Sequence, residues 1–116
     1  MHEASIAQGI LYSALAETPP NAEKIVAVTV VVGVLTGVEK SCLTSYFTEL
    51  ARGTKAQGAR LDIKIACARL ICRQCGLEIE FDGAGPVEPT CRACGQANKL
   101  EGGEEMHLES LEVKIS

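Results

Sequence analysis

Two Cys-x-x-Cys knuckles, Cys72-Arg73-Gln74-Cys75 and Cys91-Arg92-Ala93-Cys94, limit what this chain can fold into more than any other feature. Fifteen residues separate Cys75 from Cys91, at the edge of the spacing used when two knuckles share one metal. Each knuckle offers two thiolates to one side, and two knuckles close a tetrahedron around Zn²⁺. Gly76 and Gly95 directly follow the knuckles and suit the tight turn. Cys72, Cys75, Cys91 and Cys94 are therefore read as a structural zinc site. Four thiolates leave no open position on the metal, so the zinc is not expected to be catalytic. A thioredoxin-like redox pair would need one such motif at a helix start in a βαβ setting, and an iron–sulfur cluster usually takes another spacing. Arg69, Arg73 and Arg92 are close enough in sequence to offset the negative charge of a zinc tetrathiolate, or else are ordinary surface charge.

The remaining cysteines carry no such pattern. Cys42 falls on the apolar stripe of an expected helix and is read as a small core residue. Cys67 follows an expected strand, where packing is the simpler role. In a cytoplasmic protein all six cysteines should be reduced or metal-bound rather than paired as disulfides. The cytoplasm is the expected compartment, because residues 1–20 carry Glu3, no Lys or Arg and only a broken apolar stretch, unlike a secretory signal.

The rest of the chain reads as one small α+β domain interrupted by the cysteine segment. A helix is expected over residues 4–17, with Ile6, Ile10, Leu11 and Leu15 on one face, and Pro19-Pro20 stops it. Residues 24–32 are β-branched almost throughout and apolar on both faces, as in a central strand. Thr36-Gly37-Val38-Glu39 fits a capping box. The helix behind it should run to about Arg52, burying Cys42, Leu43, Tyr46, Phe47, Leu50 and Ala51. Leu61, Ile63 and Ile65 alternate with Arg60, Asp62 and Lys64, predicting a half-buried antiparallel strand. Within the cysteine segment, Ile79 and Phe81 alternate with acids, predicting a short hairpin strand before an Asp82–Pro86 turn. The last strand covers 106–115. Leu111, Val113 and Ile115 are out of phase with Met106 and Leu108, so a bulge or twist is expected near Ser110, and His107 reads as an exposed strand residue. The expectation is a three-stranded, mainly antiparallel sheet with two helices on one face, plus an inserted zinc-ribbon-like domain. Residues 1–68 and 104–116 would form one discontinuous domain and residues 69–103 the other.

Composition narrows the function. Fifteen acidic and eleven basic residues give a net charge of −4, which argues against nucleic acid or an anionic membrane surface as partner. No apolar run approaches the roughly 18 residues of a membrane span. No nucleophile–base pair or catalytic carboxylate pair stands out, so the chain does not read as an enzyme. Met1-His2-Glu3 offers a different chemistry. A free terminal amine, the amide nitrogen of position two and its imidazole lie within chelate reach. They suit a divalent ion that prefers square-planar nitrogen, such as Ni(II) or Cu(II). Glu3, at the helix start, also complements the helix dipole.

The combination resembles the HypA/HybF nickel metallochaperones of hydrogenase maturation. The match rests on Met1-His2-Glu3 and the helix behind it, Val32-Gly33-Val34-Leu35-Thr36-Gly37-Val38-Glu39, Arg52-Gly53-Thr54, Gln57-Gly58-Ala59-Arg60-Leu61, the two knuckles, and Leu108-Glu109-Ser110-Leu111-Glu112-Val113. The resemblance implies Ni(II) held by Met1 and His2 with Glu3 in support, and zinc as a structural cofactor. It implies delivery of nickel to a [NiFe]-hydrogenase large-subunit precursor together with the GTPase HypB, and in some members service to urease maturation factors. A monomer or weak dimer fits this reading. Certain relatives supply a further nickel-binding histidine from the zinc segment, but residues 76–90 here contain none. The competing reading is a zinc-ribbon module that binds protein and has no nickel role.

Overall fold

The structure, a computed structural model, describes residues 2–115. Helix α1 is Glu3–Glu17, strand β1 Ala22–Gly33, helix α2 Lys40–Leu50 and strand β2 Arg60–Ala66. Three short strands follow: β3 Ala68–Cys72, β4 Glu78–Phe81 and β5 Asn98–Gly102. Strand β6, Met106–Ile115, closes the chain. The chain divides into two compact units. One comprises Met1–Val31, Gly37–Lys64 and Met106–Ser116; the other comprises Val32–Thr36 and Ile65–Glu105.

The first unit carries the expected three-stranded sheet, in the order β2-β1-β6. The most β-branched segment is thus the middle strand, as its two apolar faces require. Ile25, Val28 and Val30 are essentially solvent-free. Lys114 near the end of β6 pairs with Glu23 near the start of β1, so these strands run in opposite directions. Helix α1 packs on α2 and against β6. It buries Ala7, Ile10, Leu11 and Ala14, which recur at the three- and four-residue spacing of one helix face. The burial of β6 changes phase, with Leu108 half-buried and then Leu111 and Val113, where the sequence predicts a bulge or twist. Met106 and Ile115 are exposed, and on β2 the inner face ends at Ile63, since Ile65 is exposed too.

Two expectations about α2 are corrected. Thr36 does not cap it. The Thr36 hydroxyl donates to the Gly33 carbonyl at 2.8 Å inside a 3-10 turn over Val34–Thr36. Gly37, at φ +71°, breaks the helical path, and α2 begins at Lys40 with Glu39 as its cap. The buried stripe is also narrower. Leu43, Phe47 and Ala51, spaced by four, are solvent-free, whereas Cys42, Tyr46 and Leu50 face outward. A short helix packed on α1 buries one line of side chains, and the second apolar line is left on the surface.

The second unit has its own sheet, ordered β4-β3-β5 and antiparallel on both sides. Of its strands only β4 was expected from the sequence. Leu70 stands opposite Ile79 on one side and Leu100 on the other, and Arg69 opposite Glu80 and Glu101. One sheet face is thus apolar and the other charged. In the same unit the Gly33 N–H donates to the Glu105 carbonyl and the Leu35 N–H to the Gly103 carbonyl, both at 2.7 Å. A Cβ at Gly33 would lie 2.1 Å from the Gly103 carbonyl oxygen, so this crossing tolerates only glycine.

Candidate metal centres

The two knuckles fold alike. The Gly76 N–H donates to the Cys72 carbonyl at 3.1 Å, and the Gly95 N–H to the Cys91 carbonyl at 2.8 Å. Both glycines sit at positive φ, +76° and +78°, which is why glycine closes each turn. Each turn aims backbone N–H groups at its first sulfur. Gln74 and Cys75 donate to Cys72 Sγ at 3.4 and 3.3 Å, and Ala93 donates to Cys91 Sγ at 3.4 Å.

The four sulfurs lie within 4.8 Å of one another, with Cys72 and Cys94 at 3.4 Å and Cys75 and Cys91 at 3.8 Å. Zn–S bonds of about 2.3 Å in a tetrahedron put sulfurs about 3.8 Å apart, so the set has the right size and donor chemistry for zinc. Proton affinities point the same way. Hydrogen bonds from the backbone, that of Cys75 foremost, pull Cys72 down to about 6. The Cys94 and Ala93 N–H groups lower Cys91 likewise. Cys94 is drawn down by the Gln96 N–H, but the neighbouring sulfurs, Cys72 first, and burial outweigh this and push it up to about 12. Cys75 is drawn down by the Leu77 N–H, but the Cys72 sulfur, burial and the Cys91 sulfur together outweigh this and raise it. Four thiolates this close resist ionising together unless a cation sits among them. Neither Arg69 nor Arg92 pairs directly with a sulfur, although the Arg92 charge acts on Cys91 at a distance. Arg69 binds Glu78 and Glu101, and Arg92 binds Glu88. Backbone N–H groups supply the stabilisation instead, a contribution that side-chain composition does not reveal.

Met1, the expected source of a terminal amine, lies outside the described residues. His2 is the N-cap position of α1. Its carbonyl accepts the first helical hydrogen bond, from Ile6 N–H at 3.0 Å, while its exposed side chain makes no capping bond. The imidazole is thus spared the usual work of an N-cap side chain. Glu3, expected at the helix start, is held there by more than the helix dipole. Only 7% of its surface is exposed, and its carboxylate accepts the Glu39 N–H at 3.1 Å. That hydrogen bond, with the N–H of Glu3 itself, lowers its proton affinity. The Glu39 carboxylate caps α2, accepting from Ser41 N–H and Cys42 N–H, each at 3.2 Å, and from the Ser41 hydroxyl at 2.7–2.8 Å. These bonds, the Ser41 hydroxyl first, hold Glu39 at about 2. Glu39 thus joins the starts of both helices, donating from its backbone to one and accepting on its side chain from the other. The sequence had marked it only as half of a capping box; nothing local signals a partner 36 residues away.

Cys42 is exposed, and its thiol is raised chiefly by its hydrogen bond to Glu39. Cys67 is half-buried and bonded to the Glu80 carboxylate, which raises it. Neither joins a metal-binding group among the described residues. His107 is exposed, as expected. No helix of the described residues is long and apolar enough to cross a membrane.

Comparison with known proteins bears on the whole chain. Residues 1–113 match the family model described as HypA, hydrogenase/urease nickel incorporation, metallochaperone. The hydrogenase maturation factor HypA of Caldanaerobacter subterraneus subsp. tengcongensis is 37% identical over 117 residues, spanning 98% of this chain and all of that protein. The factor of the same description from Aquifex aeolicus is 35% identical, over 99% of both. Among solved structures, the solution structure of the Ni metallochaperone HypA from Helicobacter pylori superposes with a TM-score of 0.64 at 25% identity, covering both chains fully. A second HypA solution structure gives 0.67 at 26%, covering 97% of this chain and 96% of that one.

Proposed function

This chain belongs to the HypA family of hydrogenase/urease nickel-incorporation metallochaperones, and from that premise we propose a terminal nickel site and a separate structural zinc site. In this reading Ni(II) is cargo. It is taken by the Met1 amine and by His2, with Glu3 in a supporting role. The observation that supports it is the arrangement at the start of α1. The His2 side chain is exposed and does no capping, while the adjacent Glu3 is buried and tied to Glu39. One residue is available to a metal and the next is an anchor. An anchored chelate of this kind presents nitrogen donors in a fixed order at the surface, where an acceptor can replace them one at a time. Protons compete with metal for amine and imidazole nitrogens, so loading is reversible under ordinary conditions.

Cys72, Cys75, Cys91 and Cys94 hold the zinc, which supplies a structural crosslink between the two knuckles. The proposed domain division is residues 1–68 with 104–116 around the nickel site, and residues 69–103 around zinc. The chain acts in the cytoplasm without catalysis of its own. It passes nickel to a [NiFe]-hydrogenase large-subunit precursor alongside a HypB-type GTPase, as a monomer or weak dimer.

The test is terminal dependence. Protein beginning at Met1 is expected to bind about one Ni(II) and about one Zn(II) by equilibrium dialysis with metal analysis. His2→Ala, or one residue added ahead of Met1, is expected to weaken nickel binding by at least about a hundredfold while zinc stays. Nickel affinity that survives both changes refutes the terminal site and leaves the zinc-ribbon interaction module as the reading.

A further inference from the structure

The cysteine-bearing unit has a second surface feature that the metal centres do not use. A groove of about 290 Å³ runs between strand β4 and the segment 82–92. Leu70 forms its buried floor, and Ile79, Phe81 and Pro86 form apolar walls. Phe81 is one of only four aromatic residues in the chain, and it is left half-exposed here.

The groove wraps over an edge. Along a strand successive side chains point to opposite faces, so Glu80 faces away from Ile79 and Phe81. All three line the groove, which therefore passes across the rim of β4 rather than along one face. Strand β4 is the outer strand of β4-β3-β5, so its far backbone edge has no strand against it among the described residues. An extended chain laid there would meet unpaired backbone groups and would place alternate side chains inward.

The rim is net negative. Glu80, Asp82 and Glu88 lie along it with Arg92 as the one cation, and Arg92 is already bound to Glu88 at 2.9 Å. Arg69 stands opposite Glu80 in the sheet but directs its guanidinium to Glu78 and Glu101. Among the described residues neither Glu80 nor Asp82 forms an ion pair. The whole unit carries seven acidic and four basic residues. Exposed Val87 extends the apolar surface beside the groove.

We propose that this groove docks an extended basic segment of a partner protein, in which apolar side chains alternate with Lys or Arg. The apolar side chains rest on Leu70, Ile79 and Phe81, and the basic ones meet Glu80 and Asp82. The inference stands apart from the terminal nickel site and does not depend on it.

The test uses the full-length, zinc-loaded chain and a fluorescein-labelled peptide, Lys-Val-Arg-Leu-Lys-Val-Lys, with its charge-reversed twin, Glu-Val-Asp-Leu-Glu-Val-Glu. Fluorescence anisotropy is expected to show binding of the basic peptide only, weakening as salt rises from about 50 to about 300 mM. Amide shifts in a ¹⁵N spectrum should concentrate in residues 78–88. Glu80→Lys should weaken binding roughly tenfold. Val87→Ser, at an exposed position that supplies no metal ligand, serves as a second variant whose zinc content certifies folding, and it should also weaken binding. Equal binding of both peptides, shifts centred elsewhere, or no loss in either variant would overturn the proposal. So would self-association of the chain in sedimentation velocity that the basic peptide dissolves, which would make the occupant a second copy of this chain.

Discussion

At the level of single residues, the four-cysteine cluster was fully legible and the link between Glu3 and Glu39 was not. A Cys-x-x-Cys knuckle closes through local backbone geometry, so the residues that make the site also announce it. Glu3 and Glu39 meet through a fold, and each alone looks like an ordinary helix-start acid. The Glu39 carboxylate offers a direct check. Its folded proton affinity lies at about 2, below the ordinary carboxylate value of 4.5. A group depressed in the folded state stabilises it fully above the unfolded value and loses that contribution as pH falls through the folded one. Wild-type protein is therefore expected to be more stable than Glu39→Gln at pH 6. The gap should shrink between about pH 4.5 and pH 2. Urea midpoints followed by helical circular dichroism, taken for both proteins at each pH, decide this. A gap that is constant across that window would mean the carboxylate charge is not what holds the start of α2.

At the level of elements, periodicity found both helices and the first-unit strands but placed the faces of α2 too generously. The stripe Cys42-Leu43, Tyr46-Phe47, Leu50-Ala51 contains two parallel lines one residue apart, and apolarity cannot choose between them. Packing chose the line with Phe47, which is wholly buried, and left Tyr46 at 47% exposure. Phe47→Ala is expected to cost about 3–5 kcal/mol and Tyr46→Ser less than about 1 kcal/mol, read from chemical denaturation. Comparable losses for the two would restore the broader stripe. Strands β3 and β5 escaped notice for another reason. They have five residues each, and their pairing depends on the cysteine turns that bring them together. The crossing at Gly33 was likewise invisible, because the atom it must avoid belongs to Gly103. Gly33→Ala puts a methyl group into a backbone carbonyl that has no soft side chain to yield. The expected loss is at least about 2 kcal/mol, seen as a lowered thermal midpoint. An unchanged midpoint would show that the chain crossing is looser than 2.1 Å implies.

At the level of the whole molecule, the two units differ in what holds them. Of the six largest fully buried side chains, Phe47, Ile25, Leu43, Val28 and Val30 belong to the first unit and only Val32 to the second. The second unit, roughly 50 residues long, adds to Val32 little buried apolar surface beyond Ala68, Leu70 and two of its cysteines. A core that small needs a crosslink, and the four sulfurs are placed to provide one through the proposed zinc. Removing zinc from the reduced protein with a strong chelator should therefore unfold the second unit alone. Amide signals from residues 68–102 should collapse toward random-coil positions, while those of α1 and α2 and the helical circular dichroism persist. Cys72→Ser should reproduce that state without chelator, because it removes the ligand whose sulfur receives two backbone N–H bonds. The first unit's core contains no metal ligand of this set, so its denaturation midpoint should move little in either case. Loss of both units together would instead show that the cysteine cluster sustains the entire fold.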